Sequence, residues 1–175
     1  GLPYQVIGGL RFYERREIKD VLAYMRVVLN PSDSVSLKRI LNVPARGIGK
    51  TTMDRVGVLA AREERALLDG LREFAEGAAA RAGSKIRAFL EMLEELRGDA
   101  QTRPLDQLIG RVLERTGYLD ALAKEGSPES EARRDNLLEL MTSARDFHSA
   151  NAGSLGDERS ELELFLDQVA LIFDL

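Results

Sequence analysis

Apolar residues recur through most of this chain at the three- and four-residue spacing of amphipathic helices. Ile18, Val21, Leu22, Met25 and Leu29 form the first stripe, which predicts a helix with one side in a core and the other in water. Asn30-Pro-Ser-Asp33 breaks it, and Asp33 is placed to cap a second helix reaching about Asn42. Past Arg46-Gly-Ile-Gly49, the positions Met53, Val56 and Leu59 mark a third helix, with Thr51 or Thr52 as its expected cap. Leu67, Leu68 and Leu71 give a short helix, and Ile86, Phe89, Leu90, Leu93 and Leu96 a strong one. Pro104 opens the next, on Leu105, Leu108, Ile109, Val112 and Leu113, and Gly117 stops it. A helix near Tyr118 to Lys124 runs into the Gly126-Ser-Pro128 turn. Stripes on Leu137, Leu138, Met141 and Ala144, then on Leu162, Phe165, Leu166 and Val169, complete the set. The run 76–84 fits a loop or a loose helix, and 150–157 reads as a disorder-prone loop. Only Pro3-Tyr-Gln-Val-Ile7 alternates like a strand, ended by Gly8-Gly9. The expected fold is all-α, with a helix, tight glycine hairpin and helix near residue 48 and one short N-terminal strand that has no partner of its own.

Composition narrows the chemistry. With 175 residues, 44% hydrophobic and 31% charged, the chain can bury one core, and one domain is the default. No apolar run is long enough to span a bilayer and no leader pattern opens the sequence, so a cytoplasmic setting without a membrane partner is expected. There are no cysteines and a single histidine, His148, which removes thiolate metal sites and makes a Ser-His-Asp triad improbable. On a helix, His148 reads as structural or solvated. No metal site and no catalytic residue is expected. The net charge of −4 is unevenly spread: residues 1–52 hold nine Lys/Arg against four Asp/Glu, and the rest is acidic. A basic end on an acidic body points to a local anionic partner or to chance clustering on a solvated face.

Arg46-Gly-Ile-Gly-Lys-Thr-Thr52 contains the Gly-Lys-Thr that ends a P-loop. A P-loop needs a glycine five positions before that glycine, and Pro44 stands there. It also follows a strand, whereas Val35–Asn42 reads as helix. What remains is a phosphate contact of another kind or a glycine connector between packed helices. A helix start carries unsatisfied N–H groups and partial positive charge, and glycines let a phosphate approach them. On the first reading Ile48 pins the bend, Gly47 and Gly49 present N–H groups, Arg46 and Lys50 add charge, and Thr51 adds a hydroxyl. This is the pattern of a helix-hairpin-helix that grips the nucleic-acid backbone with little base information. Arg15, Lys19 and Arg26 share one face of the first helix and could extend the basic surface.

Several spaced runs carry a family resemblance. Gly1-Leu-Pro-Tyr4, Gly8-Gly-Leu-Arg-Phe-Tyr-Glu-Arg15, Glu17-Ile-Lys-Asp20, Arg39-Ile-Leu-Asn-Val-Pro44 with Arg46-Gly-Ile-Gly49, Arg134-Asp-Asn-Leu-Leu-Glu-Leu140 and Phe165-Leu-Asp-Gln-Val-Ala-Leu171 closely resemble the accessory 2B subdomain of UvrD/PcrA/Rep-type superfamily 1 helicases. The resemblance covers nearly the whole chain. It implies an excised piece, with residues 1–9 the hinge and end of a motor-domain strand, 10–172 the helical subdomain, and 173–175 the return to the motor. The missing initial methionine and the apolar C-terminus agree with that expectation. It further implies a parent that unwinds DNA 3′ to 5′ with ATP and magnesium bound outside this segment, so the segment itself needs no cofactor and is not an enzyme. Its partners would be double-stranded DNA near a single-strand junction and the motor domains of the same chain. By residue, the resemblance carries duplex contacts to Arg46, Gly47, Ile48, Gly49, Lys50 and Thr51, with Lys19 and Arg26 as further basic positions and Gly8 and Gly9 as the hinge. The residue after the second glycine varies in the family, so Lys50 matches least securely.

Two other classes compete. The acidic helices could dock repair proteins or RNA polymerase, which would make the chain a protein-interaction module. An independent enzyme is the more distant reading, because Glu63-Glu64 and Glu94-Glu95 are adjacent and diverge around a helix.

Overall fold

In the computed structural model, residues 11–77, 80–151 and 160–173 are described. Among them all regular structure is helical. A helical turn at 11–14 leads into α1 (Arg16–Leu29), followed by α2 (Ser34–Ile40), α3 (Lys50–Ala61), α4 (Leu67–Gly77), α5 (Ala80–Thr102), α6 (Leu105–Thr116), α7 (Tyr118–Glu125), α8 (Pro128–Asn151) and α9 (Glu161–Phe173). The expected strand at 3–7 and the hinge at Gly8-Gly9 lie outside the described residues. The run from Ala80 to Ser84 is helical, as one of its two readings allowed, and α8 extends into the expected loop as far as Asn151.

The core forms around α1, because that helix is apolar on most sides. Ile18, Val21, Leu22, Tyr24 and Met25 are almost fully buried, and α1 packs against α2, α5, α6, α8 and α9. Leu29 departs from its stripe and is 39% exposed at the C-terminal end. Helix ends follow capping chemistry. Asp33 accepts from the Ser36 amide at 3.1 Å, as its position predicts. Gly117 ends α6 with φ 73°, a left-handed conformation that a side chain would disfavour.

The expected tight hairpin is instead a longer loop, residues 41–49. The two helices beside it share few contacts. α3 packs closely along α4, and α2 also rests on α4, so a third helix sets the angle between the stems. Neither Thr51 nor Thr52 caps α3. Gly49 holds the cap position with φ −83° and ψ 176°, and no side chain bonds across it. The chain turns two residues earlier, at Gly47 with φ 78°, so Gly49 is already in extended geometry and both threonines fall within the helix.

Candidate nucleic-acid interface

The loop owes its shape to two side chains. Where α2 ends, its last carbonyls lack helical partners. The Arg46 guanidinium serves this end of the helix and the loop beyond it, donating to Ile40 O, which also takes the Val43 amide, to Leu41 O at 2.8 Å and to Val43 O at 3.2 Å. It also donates to the Tyr24 hydroxyl, which in turn donates to Val43 O. The cation lies 4.8 Å from the Phe89 ring centroid and 5.9 Å from that of Tyr24, within cation–π range. Burial pushes the Tyr24 phenol above its ordinary pKa, against the opposing pull of Arg46, so Tyr24 stays protonated and able to donate. Asn42 does the same work for the turn itself. Its side-chain oxygen accepts from the Arg46 amide at 2.8 Å and the Ile48 amide at 3.2 Å. A loop-end asparagine is a recurrent turn residue, which was the available signal for it.

Ile48 is buried, while Gly47, Gly49 and Lys50 are exposed. A Cβ built on Gly49 would meet nothing within 4 Å, so that glycine opens onto free space. Lys50 and Thr51 begin α3, whose first turn holds no acidic residue. An exposed helix start, reached through glycine and flanked by a cation, therefore faces outward. Of the expected contact residues, Arg46 differs from the others. Its charge is turned inward onto carbonyls and rings, and its part in the turn is to hold the backbone in shape.

Lys19 and Arg26 lie elsewhere. Lys19 is exposed and Arg26 half-buried, and they share a cleft of about 280 Å³ with Tyr13, Val35, Arg39 and Phe173. Burial holds the Arg26 guanidinium below its usual pKa, offset by Asp33 and reinforced by Arg39. The cleft is thus a basic strip with apolar walls. Behind the loop, a half-open cleft of about 500 Å³ is lined by Arg16, Asp20, Arg39, Pro44 and Tyr118 among others. Its buried carboxylate is fully engaged: Asp20 takes Arg39 Nε at 2.9 Å on one oxygen and the Tyr118 hydroxyl at 2.7 Å on the other. Burial, then the bond to Asp20, pushes the Tyr118 phenol far up. This cluster cements α1 to the segment ending α2 and to α7, and offers no free acid or base.

Other candidates resolve in the same way. Glu94 faces Arg97 at 3.9 Å while Glu95 pairs with Arg115 at 2.6 Å, so the adjacent carboxylates do diverge. His148 on α8 meets Glu161 on α9 at 2.6 Å, and Glu161 also accepts from the Leu105 amide at 3.0 Å. Among the described residues no group of three His, Asp or Glu could hold a metal ion, and no helix is long and apolar enough to cross a membrane. Arg46–Thr52 does not fit ATP, since a helix precedes the loop where a P-loop needs a strand and Pro44 occupies the place of its first glycine.

Over residues 1–174 the chain matches the UvrD-like helicase C-terminal domain, and it belongs to that family. It is similar to the ATP-dependent DNA helicase UvrD1 of Mycobacterium tuberculosis (strain ATCC 25618 / H37Rv), 43% identical over 186 residues, covering 99% of this chain and 24% of that protein. It is also similar to the ATP-dependent DNA helicase PcrA of Bacillus subtilis (strain 168), 34% identical over 176 residues, covering 100% of this chain and 23% of that protein. The chain thus spans about a quarter of the length of these curated relatives.

Proposed function

We propose that this chain is the accessory 2B subdomain of an ATP-dependent 3′ to 5′ DNA helicase, binding duplex DNA by its phosphate backbone ahead of the fork and swinging about Gly8-Gly9. The observation that carries this reading is the start of α3. Gly49 leaves its N–H groups uncapped and sterically open, and Lys50 and Thr51 stand beside them, which suits a phosphate. Gly47 and Ile48 set the turn, Arg46 braces it, and Lys19 and Arg26 are assigned a second backbone contact. The ATP and magnesium of the parent belong to motor domains outside this segment.

The test is titration of a plain duplex at several salt concentrations. About three neutralised phosphates correspond to a log–log slope of roughly −2 to −3. Lys19→Ala with Arg26→Ala is expected to flatten that slope, and Gly49→Asp, which sets a carboxylate at the phosphate site, to lower affinity at least tenfold. Duplex affinity that is absent, or independent of salt, overturns the reading.

A second reading draws support from the surroundings of Lys19 and Arg26. Val35, 84% exposed, and Phe173, 39% exposed, line the same cleft, a mixture that suits a protein segment better than bare phosphate. On that reading the chain is a docking module for repair or transcription proteins. The docking reading takes first place if both the Lys19/Arg26 variant and the glycine-turn variants bind duplex as the parent chain does.

A further inference from the structure

We infer that Lys85, on α5, is a phosphate-binding residue of the glycine turn and supplies the charge that Arg46 withholds. This rests on the duplex-binding reading above and adds to it a residue from a different part of the chain. Phe89 lies under the Arg46 guanidinium. One helical turn earlier on the same face, Lys85 reaches over the next residue of the loop, with its ammonium 3.4 Å from Gly47 O. A Cβ built on Gly47 would fall 2.5 Å from Lys85 Nζ, so the ammonium occupies the space that the missing side chain leaves. Successive residues of the turn, Arg46 and Gly47, are thus matched to successive turns of α5.

The chemistry of the two cations differs. The two terminal nitrogens of Arg46 donate to three carbonyls and a hydroxyl, and its plane lies against two rings, so those four donors are taken. Lys85 has one long contact to a carbonyl, and among the described residues no carboxylate pairs with it. An ammonium has three donors on a flexible stem, so Lys85 can keep its position over Gly47 and still donate to an anion at the turn. Lys50 supplies the other charge, from the first residue of α3. A phosphate at the turn would then meet the uncapped helix start together with two cations, Lys50 at that start and Lys85 over Gly47, the latter contributed from 38 residues further along. The contact would be made to phosphate oxygens and would be indifferent to base sequence.

The test compares Lys85→Gln and Lys85→Arg with the parent 175-residue chain in the same duplex titration. Removing one phosphate contact is expected to reduce the log–log slope by about 0.9, which at 0.1 M salt corresponds to a loss of affinity of roughly five- to tenfold. The loss should be equal on duplexes of different sequence. Lys85→Arg should retain the slope, and thermal unfolding of both variants should match the parent. Lys85→Gln that lowers the melting temperature but not the slope would show a packing role and overturn the inference. If Gly49→Asp abolishes binding while Lys85→Gln is silent, the inference fails and the duplex-binding reading stands. If the parent chain does not bind duplex at all, both fall.

Discussion

Arg46 and Gly49 lie three residues apart and lead to opposite expectations. Arg46 donates to Ile40 O at the end of α2 and to the loop carbonyls of Leu41 and Val43, and stacks on Phe89, so Arg46→Ala should destabilise the fold by about 3 kcal/mol, read from the urea midpoint. Arg46→Lys should recover little of that, because an ammonium cannot reproduce the planar fork. A side chain at Gly49 would start in open space, and the extended backbone there suits an acidic cap. Gly49→Asp should therefore leave melting unchanged or raise stability by about 0.5 kcal/mol through the helix dipole while it weakens duplex binding. A variant that is better folded and binds worse separates a ligand site from a connector. Gly47 is less suitable for this purpose: with φ 78°, any side chain there is strained and displaces Lys85. What could be read from the sequence at this scale was the local part. Asp33 capping α2 and Ile48 pinning the turn follow from neighbours a few residues away. The inward turn of Arg46 depends on Tyr24 and Phe89, and the placement of Lys85 on a loop 38 residues distant, and no local pattern encodes either.

Between elements, a pH dependence is expected at the joint of α8, α9 and α6. His148 bonds to Glu161, and that bond, then the carboxylate's charge, raises the imidazole pKa above its ordinary value. A group with a raised folded pKa gives its full stabilisation below its unfolded value of about 6.5 and loses it as pH rises through the folded value. The melting temperature of the parent chain should therefore exceed that of His148→Gln below about pH 6.5, and the gap should close toward alkaline pH. A constant gap from acid to alkali would show that the pair does not titrate with folding. The helices themselves were legible because their apolar stripes are long and bounded by Pro104, Gly117 and Gly126. The loop between α2 and α3 was not, since the pattern gives no sign that α4, rather than a direct contact, would hold the stems apart. The cap of α3 was also misplaced. Threonine favours such positions in general, but Gly47 completes the turn early enough for Gly49 to take the cap.

At the scale of the whole molecule, the basic first third and the acidic remainder are folded together around α1, so the charge asymmetry seen along the sequence becomes local strips such as the Lys19/Arg26 cleft. Purified chain should hydrolyse no ATP in a coupled assay, with or without DNA, because the only Gly-Lys-Thr lies after a helix and beside a guanidinium already in use. The bracing of that guanidinium also bears on force. A loop that takes its shape from its ligand yields when the ligand is pulled. Here Arg46 bolts the turn to the end of α2, to the Tyr24 hydroxyl on α1 and to the ring of Phe89 on α5. A duplex drawn along the turn would meet a stiff mounting, and the load would pass into the central helix with little give in the loop.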